Sequence, residues 1–365
     1  LLLSVNKQGT SMQKTLAIFL LSTMVGRGSL LAQQQGDQKG LAVSANRRML
    51  LYVGDSRGTD ISVIDLPSLK LIDRIRLGAH VHGLATEASG RHLFATVESD
   101  HTLRIVDTTT DRAIATVPLT GRPNQCAATR DGKYVVVPIR DGNSVDIVDV
   151  TRQKVVKVLP LSVPHNAVVE PESNRYVYVS SMGDQQINLV DLSRLAYSAK
   201  VPVGGVPRPF VVARDGQTMY VAESNLHGFV VVNVPEGRVL ERVEIPSINK
   251  TPHPRPFEPI DTLTHGLTLT VDGKELWVTS LLDDSIYVYN LQAKKVSHRL
   301  PTGDGPNWVS ASPDGRFVGV SNADSHDVSI FDALAHKEIA RIKTGGVPKR
   351  VLVANVPGAF DQASR

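Results

Sequence analysis

Apolar and polar residues alternate along this chain in short runs, and the runs recur. Seven end in Asp or Asn: ISVID at Asp65, LRIVD at Asp107, VDIVD at Asp149, INLVD at Asp191, FVVVN at Asn233, IYVYN at Asn290 and VSIFD at Asp332. Successive ends are 42, 42, 42, 42, 57 and 42 residues apart. Alternation with period two marks strands with a core face and a second face, and the β-branched content suits sheet. No stretch shows sustained helical periodicity. A fixed period of this length marks a repeat architecture.

Each unit reads as a short apolar strand, a turn, a second β-rich run, a polar loop, the Asp-ended strand, another turn and a final strand. The first turn is Asp-Gly at Asp131-Gly132, Asp215-Gly216, Asp272-Gly273 and Asp314-Gly315. That pair predicts two-residue hairpins with positive φ at both positions. The terminal carboxylates Asp65, Asp107, Asp149, Asp191 and Asp332 are expected to cap the turns that follow them. Four strands in about 42 residues make one propeller blade. The predicted fold is all-β, a seven-bladed β-propeller of four-stranded antiparallel blades. Two segments look like a spare innermost strand, Gly40–Ser44 and Arg350–Val356. The C-terminal one is expected to complete the first blade and close the ring.

Composition changes the picture in two places. The 365 residues carry 40 Lys+Arg against 36 Asp+Glu, a formal charge of +4. Residues 12–32, MQKTLAIFLLSTMVGRGSLLA, have a basic start at Lys14, an apolar run from Thr15 to Gly26 and a small-residue end at Ala32. This is the layout of a cleavable secretory signal, too short to span a bilayer. Residues 1–32 hold Lys7, Lys14 and Arg27 and no acid, so without them the charge falls to +1. Whole-chain basicity is therefore no argument for a nucleic-acid partner. The organisation expected is upstream residues and leader over 1–32, a linker over 33–39, the propeller over 40–358 and a tail over 359–365. The product is expected to be a periplasmic or secreted monomer with no membrane span after leader cleavage. The single Cys, Cys126, excludes an intramolecular disulfide and a multi-cysteine metal site; on an innermost strand it reads as a small buried hydrophobe.

The passages PDGRFVGVSN and ISVIDLPSLKLIDRIRLG, with LYVGD, MYVAES and LWVTSL as second strands, resemble the YVTN-type β-propeller repeat family. The likeness runs from about Gly40 to Pro357. It departs from the pattern in lacking the literal tetrapeptide, and the second and third units read FATVES and VVPIRD. The resemblance implies an exported bacterial or archaeal surface protein. Some related propellers bind nucleic acid, and others are lactonases or lyases. Fold alone does not choose among these.

The repeat also assigns faces. Loops joining second to third strands, and fourth strands to the next blade, share one mouth of the central channel. At the start of each innermost strand stand His82, Asn124, His165, Arg208, His265, Asn307 and Lys349, each expected to point toward the axis. Eight of the eleven His fall on this mouth face: His80, His82, His101, His165, His227, His253, His265 and His326. Asp55, Glu98 and Glu223 close the second strands. The long interval carries an extra Pro-rich segment, Ser247 to Asp261, whose Pro252, Pro254, Pro256 and Pro259 stiffen a loop over the mouth. Its intervening residues include His253, Arg255, Phe257 and Glu258. Trp308, beside Asn307, could stack a ligand, although a core position between blades suits both Trp277 and Trp308.

Three readings of the ring stay open. His, Arg, Lys and Asn all donate hydrogen bonds, which suits a small polar or anionic ligand or a partner's extended peptide. His82, His165 and His265 could instead hold a divalent transition metal (copper, zinc or iron), with Glu98 or Glu223 as general base of a lactonase-like lyase or hydrolase. Arg208 and Lys349 oppose a cation there. In the third reading the polar groups only hydrate the channel. The first reading, a binding module, leads; the metal-dependent enzyme is the alternative. No Walker loop, Gly-x-Ser-x-Gly elbow, His-Glu-x-x-His or Rossmann fingerprint is present.

Overall fold

The computed structural model describes residues 47–249, 251–252 and 254–358. The leader, the Gly40–Ser44 segment, His253 and the expected tail lie outside the described residues. Among those described, no helix is long and apolar enough to cross a membrane.

The described residues form 28 strands in seven four-stranded sheets. Blade 1 begins with β1 (Arg47–Asp55), β2 (Asp60–Asp65) and β3 (Lys70–Arg76). Blade 2 holds β4 (Val81–Thr86), β5 (His92–Val97), β6 (Thr102–Asp107) and β7 (Arg112–Pro118). Blade 3 holds β8 (Ala127–Ala128), β9 (Tyr134–Ile139), β10 (Ser144–Asp149) and β11 (Lys154–Pro160). Blade 4 follows with β12 (Pro164–Val169), β13 (Tyr176–Ser181), β14 (Gln186–Asp191) and β15 (Ala196–Pro202). Blade 5 has β16 (Pro207–Val212), β17 (Thr218–Glu223), β18 (Gly228–Asn233) and β19 (Arg238–Glu244). Blade 6 has β20 (Thr264–Leu269), β21 (Glu275–Ser280), β22 (Ser285–Asn290) and β23 (Lys295–Pro301). Blade 7 has β24 (Pro306–Ala311), β25 (Phe317–Asn322), β26 (Asp327–Asp332) and β27 (Lys337–Lys343). The last strand, β28 (Pro348–Pro357), pairs antiparallel with β1 and becomes the innermost strand of blade 1. The C-terminal strand thus closes the ring.

Blades stack face to face, so each middle strand is buried on both sides and alternate residues feed two different interfaces. Leu50 and Tyr52 pack toward blade 2 against Leu84 and Leu93. Their neighbours Leu51 and Val53 pack the other way, against Phe317 and Val328 of blade 7. Trp277 fills the interface between blades 6 and 7 with Val309, Val318 and Phe331. Cys126 is buried in the core between blades 2 and 3, and burial pushes its thiol up to about 12.

Turn chemistry follows the repeat. The Asp107 carboxylate accepts the Thr109 amide (2.8 Å), Asp149 that of Arg152 (2.9 Å), and Asp332 those of Leu334 and Ala335 (3.0 and 2.9 Å). Asn233 and Asn290 cap in the same way. The Asp-Gly turns differ from the two-residue hairpins expected. Only the glycines have positive φ, 68–73° at Gly132, Gly216, Gly273 and Gly315. Each glycine amide bonds back three residues, as Gly132 does to the Thr129 carbonyl at 2.9 Å. Asp131 keeps ordinary φ because its side chain accepts from Thr129 Oγ1 and from the Lys133 amide. The turn is a longer loop with glycine at its end.

Candidate functional site

The innermost strands slip register where the ring residues stand. Between β4 and β5, Val81 faces Val97 and Gly83 faces Thr96, leaving His82 as the extra residue. The same break falls at His165 and Asn166, at Arg208 and Pro209, at His265 and Gly266, at Asn307 and Trp308, and at Lys349. In blade 3 regular pairing is interrupted between the Pro123–Ile139 bridge and Ala127, where Asn124 keeps one bond to β9, from its amide to the Pro138 carbonyl at 2.8 Å. A bulge breaks strict alternation and re-aims side chains. It brings into the channel residues that period two assigns elsewhere.

Arg350 is the chief of these. It is 2 % exposed and lies at the centre of the polar groups. Nη1 donates to Asn307 Oδ1 (3.2 Å) and the Lys349 carbonyl (2.9 Å). Nη2 donates to His82 Nε2 (3.1 Å) and Asn124 Oδ1 (3.4 Å). The Trp308 ring covers the guanidinium at 4.2 Å, and His265 meets the same ring edge-on at 5.7 Å. His165 of blade 4 meets His265 of blade 6 at 5.8 Å. Asn124, His165, Arg208, His265 and Asn307 are all buried. They plug the channel, and of the seven ring positions only His82 and Lys349 line the open cavity above it.

The three imidazoles do not form a ligand set. Nε2 of His82 accepts a hydrogen bond from Arg350, which leaves Nδ1 to carry the hydrogen, 3.2 Å from Glu98 Oε2. Nδ1 of His265 donates to the Asn307 carbonyl at 3.0 Å, and Nδ1 of His165 is buried with no partner among the described residues. Among the described residues no three His, Cys, Asp or Glu side chains are grouped as metal ligands. Of the expected His82, His165 and His265 set, His165 and His265 face each other edge to face, while His82 turns toward Arg350 and Glu98. Burial, reinforced by neighbouring arginines, holds His82 and His165 well below the ordinary imidazole value and His265 at about 3.

The cavity, about 530 Å³, lies off the axis over blades 1 to 3. Its walls include Arg57, His82, Glu98, Arg122, Arg140 and Lys349, and its roof is Pro256 to Pro259 of the insertion. Charge is uneven: Arg57, Arg122, Arg140 and Lys349 face only Glu98 and Glu258. Glu98 pairs with Arg122 as well as lying beside His82. Glu258 Oε1 is 2.7 Å from both Lys349 Nζ and Asn307 Nδ2. Burial raises the Glu258 pKa, but Lys349, His265 and Arg350 together outweigh it and hold the carboxyl at about 2. Arg57 and Arg140 have no carboxylate partner among the described residues; Arg57 lies 5.7 Å from the Phe257 ring. Comparing loop positions around the ring explains the asymmetry. The residue just after the second strand is Glu98 in blade 2 and Arg140 in blade 3, but Met182, Leu281 and Ala323 in blades 4, 6 and 7.

The remaining candidates lie apart. Glu223 is buried on β17 and paired with Arg242; burial raises its pKa against that partner. Arg208 bonds Ser224 Oγ (2.9 Å) and Asp261 Oδ1 (3.1 Å), which ties the end of the insertion to blade 5. Arg255 ties its middle to blades 6 and 7 through Asp284 (2.6 Å), Asp324 (2.7 Å) and the Leu281 carbonyl.

Residues 164–338 match the family described as "Lactonase, 7-bladed beta-propeller". Antigen Lp49 of Leptospira interrogans is 30% identical over 117 residues, 32% of this chain and 24% of that one. The matched stretch thus spans about a quarter of that relative's length. Among solved structures, a periplasmic gluconolactonase of Pseudomonas aeruginosa is similar at 21% identity and TM-score 0.66, over 85% of this chain and 99% of that one. Hydrazine synthase of Kuenenia stuttgartiensis is similar at 20% identity and TM-score 0.64, over 77% of this chain and 96% of that one. At these identities the likeness is one of fold. The family match covers blades 4 to 7 up to the start of β27, whereas the charged cavity wall comes from blades 1 to 3 and β28. The chain is a seven-bladed β-propeller, similar over its second half to the lactonase propellers.

Proposed function

We propose that the mouth cavity binds a small hydroxylated anion of the sugar-acid class, and that the chain serves as an exported ligand-binding propeller. The carrying observation is that Arg57 and Arg140, two guanidiniums without carboxylate partners among the described residues, line one cavity. Guanidinium pairs with carboxylate or phosphate through parallel charge-assisted hydrogen bonds. Ser56, Ser99 and His80 in the same wall supply neutral partners for hydroxyls. The leader at residues 12–32 and the periplasmic source of one similar propeller support export. The cut site is checked by N-terminal sequencing of the exported product.

Calorimetric titration with sodium gluconate, with sorbitol as the neutral control, tests the reading. Binding of gluconate alone is expected, weakened roughly tenfold by Arg57→Ala or Arg140→Ala, the scale of one charged hydrogen bond. Absence of binding at millimolar gluconate, or unchanged affinity in both variants, would sink it.

A second reading, lactone hydrolysis, is favoured by the match of residues 164–338 and by Glu98 in the cavity beside His82. The His82 Nε2 lone pair is taken up by Arg350, so Glu98 is the group left to accept a proton from water. Hydrolysis of glucono-1,5-lactone above the buffer rate, lost in Glu98→Gln, would replace the binding module with an enzyme. Sensitivity of that rate to a chelator would make it metal-dependent.

A further inference from the structure

We propose that Lys349 and Asn307 form a carboxylate subsite that the insertion's own Glu258 fills until an external carboxylate displaces it. The inference rests on the anion-binding reading and adds the ligand's functional group and its coupling to the loop.

Three observations meet at this corner. Glu258 is not part of the repeat: it is carried by the segment that breaks the 42-residue period, and no other blade supplies an equivalent. Its oxygen is held at 2.7 Å by both an ammonium and an amide N–H, the donor arrangement a free carboxylate would require. Those donors are themselves placed by the ring. The Asn307 amide oxygen accepts from buried Arg350, which fixes the amide so that its NH₂ faces the mouth. Lys349 Nζ also donates to the Phe257 carbonyl. The subsite is thus built by β24 and β28, and the loop occupies it.

The loop can leave without unfolding. Arg255 anchors it on one side through Asp284 and Asp324. Asp261 anchors it on the other through Arg208, and its carbonyl accepts the Asn225 amide at 2.7 Å. Between these anchors stand Pro256 to Ile260, and Ile260 is 57 % exposed. This short span is held over the cavity chiefly by Glu258 and the Phe257 carbonyl. The exchange is carboxylate for carboxylate at one pair of donors, so charge balance in the corner is kept and no proton moves.

The test compares gluconate affinity of the wild-type chain with Glu258→Ala and Glu258→Gln. Removing the internal competitor should tighten gluconate binding about tenfold or more in Glu258→Ala. The gain should be smaller in Glu258→Gln, whose amide oxygen still accepts from Asn307. Hydrogen exchange read on the wild-type chain guards against a misfolded variant: adding gluconate should raise exchange of the Phe257, Glu258 and Ile260 amides, the N–H groups of this span. Protection of that span, or affinity in Glu258→Ala equal to or below wild type, would overturn the displacement. If neither wild type nor variants bind gluconate, the anion-binding reading itself has failed. If wild type binds and the variants bind no tighter, only the subsite is refuted.

Discussion

At the scale of single residues, the site turns on a buried cation with neutral hydrogen-bond partners. Arg350 makes four hydrogen bonds, and its Nε is buried without a partner among the described residues. A charge removed from water is costly, and Glu258, bonded to the same Asn307 amide, supplies an opposite charge that offsets part of that cost. Arg350→Met would leave the Asn307 oxygen and His82 Nε2 without a donor, while Asn124 Oδ1 keeps the Gln125 amide at 2.9 Å. The expected loss is about 3 kcal/mol, read as a lower urea midpoint. After burial, Arg350 is the largest cause of the low His82 pKa. The His82 imidazole should therefore titrate closer to its ordinary value in that variant, as NMR would show. No upward movement would mean that Arg350 does not control His82. Arg350 was illegible in the sequence because strict alternation turns it away from its neighbour Lys349. The bulge between β28 and β1 overrides that rule, and no local residue signature announces it.

Among the elements, the outermost strands repeat one device seven times. Each slips register at its third residue: Ile72, Ile114, Val156, Ser198, Leu240, Ser297 and Ile339. A bulge on an edge strand bends the exposed ladder and blocks pairing with another chain. That protection matters here, since Ile72, Ile114 and Leu240 are 46–55 % exposed. The insertion is the opposite kind of element, irregular and pinned by few contacts. Arg255→Ala removes its ties to Asp284, Asp324 and Leu281 while leaving every blade ladder whole. Limited proteolysis should then cut between residues 248 and 260, with melting of the propeller lowered by only a few degrees. A collapse of the whole fold would show that the insertion supports the ring. Strand order, the capping Asp residues and ring closure were readable from period and turn chemistry. The Asp-Gly loop length was not, because the glycine alone fixes positive φ while the aspartate is spent on capping.

Viewed as a whole molecule, the propeller is held by seven equivalent interfaces, with the neutral imidazoles of His165 and His265 in the plug and that of His82 at the floor of the cavity above it. His82, His165 and His265 are kept unprotonated by burial in the fold but take a proton near pH 6.5 when unfolded. Their depressed folded pKa values make stability greatest above that point, and it falls with pH below it. The window for His265 runs from about 6.5 down to about 3. Each imidazole adds a slope of about 1.4 kcal/mol per pH unit, so three give about 4. Urea midpoints from pH 7 to pH 5 should show this slope, and His265→Gln should reduce it by one proton. A midpoint independent of pH would rule out the neutral plug. The sequence placed these histidines on the axis but could not say that they close it, since closure depends on which rings face one another across the channel.

The seam between β28 and β1 carries a consequence for synthesis. Asp55 Oδ1 receives the Val347 amide at 2.7 Å, joining residues 292 positions apart. Arg57 and His82 are among the first parts of the cavity to leave the ribosome, and Val347 and Lys349 are the last. A chain still being made has the cation wall but not the subsite that answers Glu258. The full cavity wall therefore exists only once β28 has paired with β1.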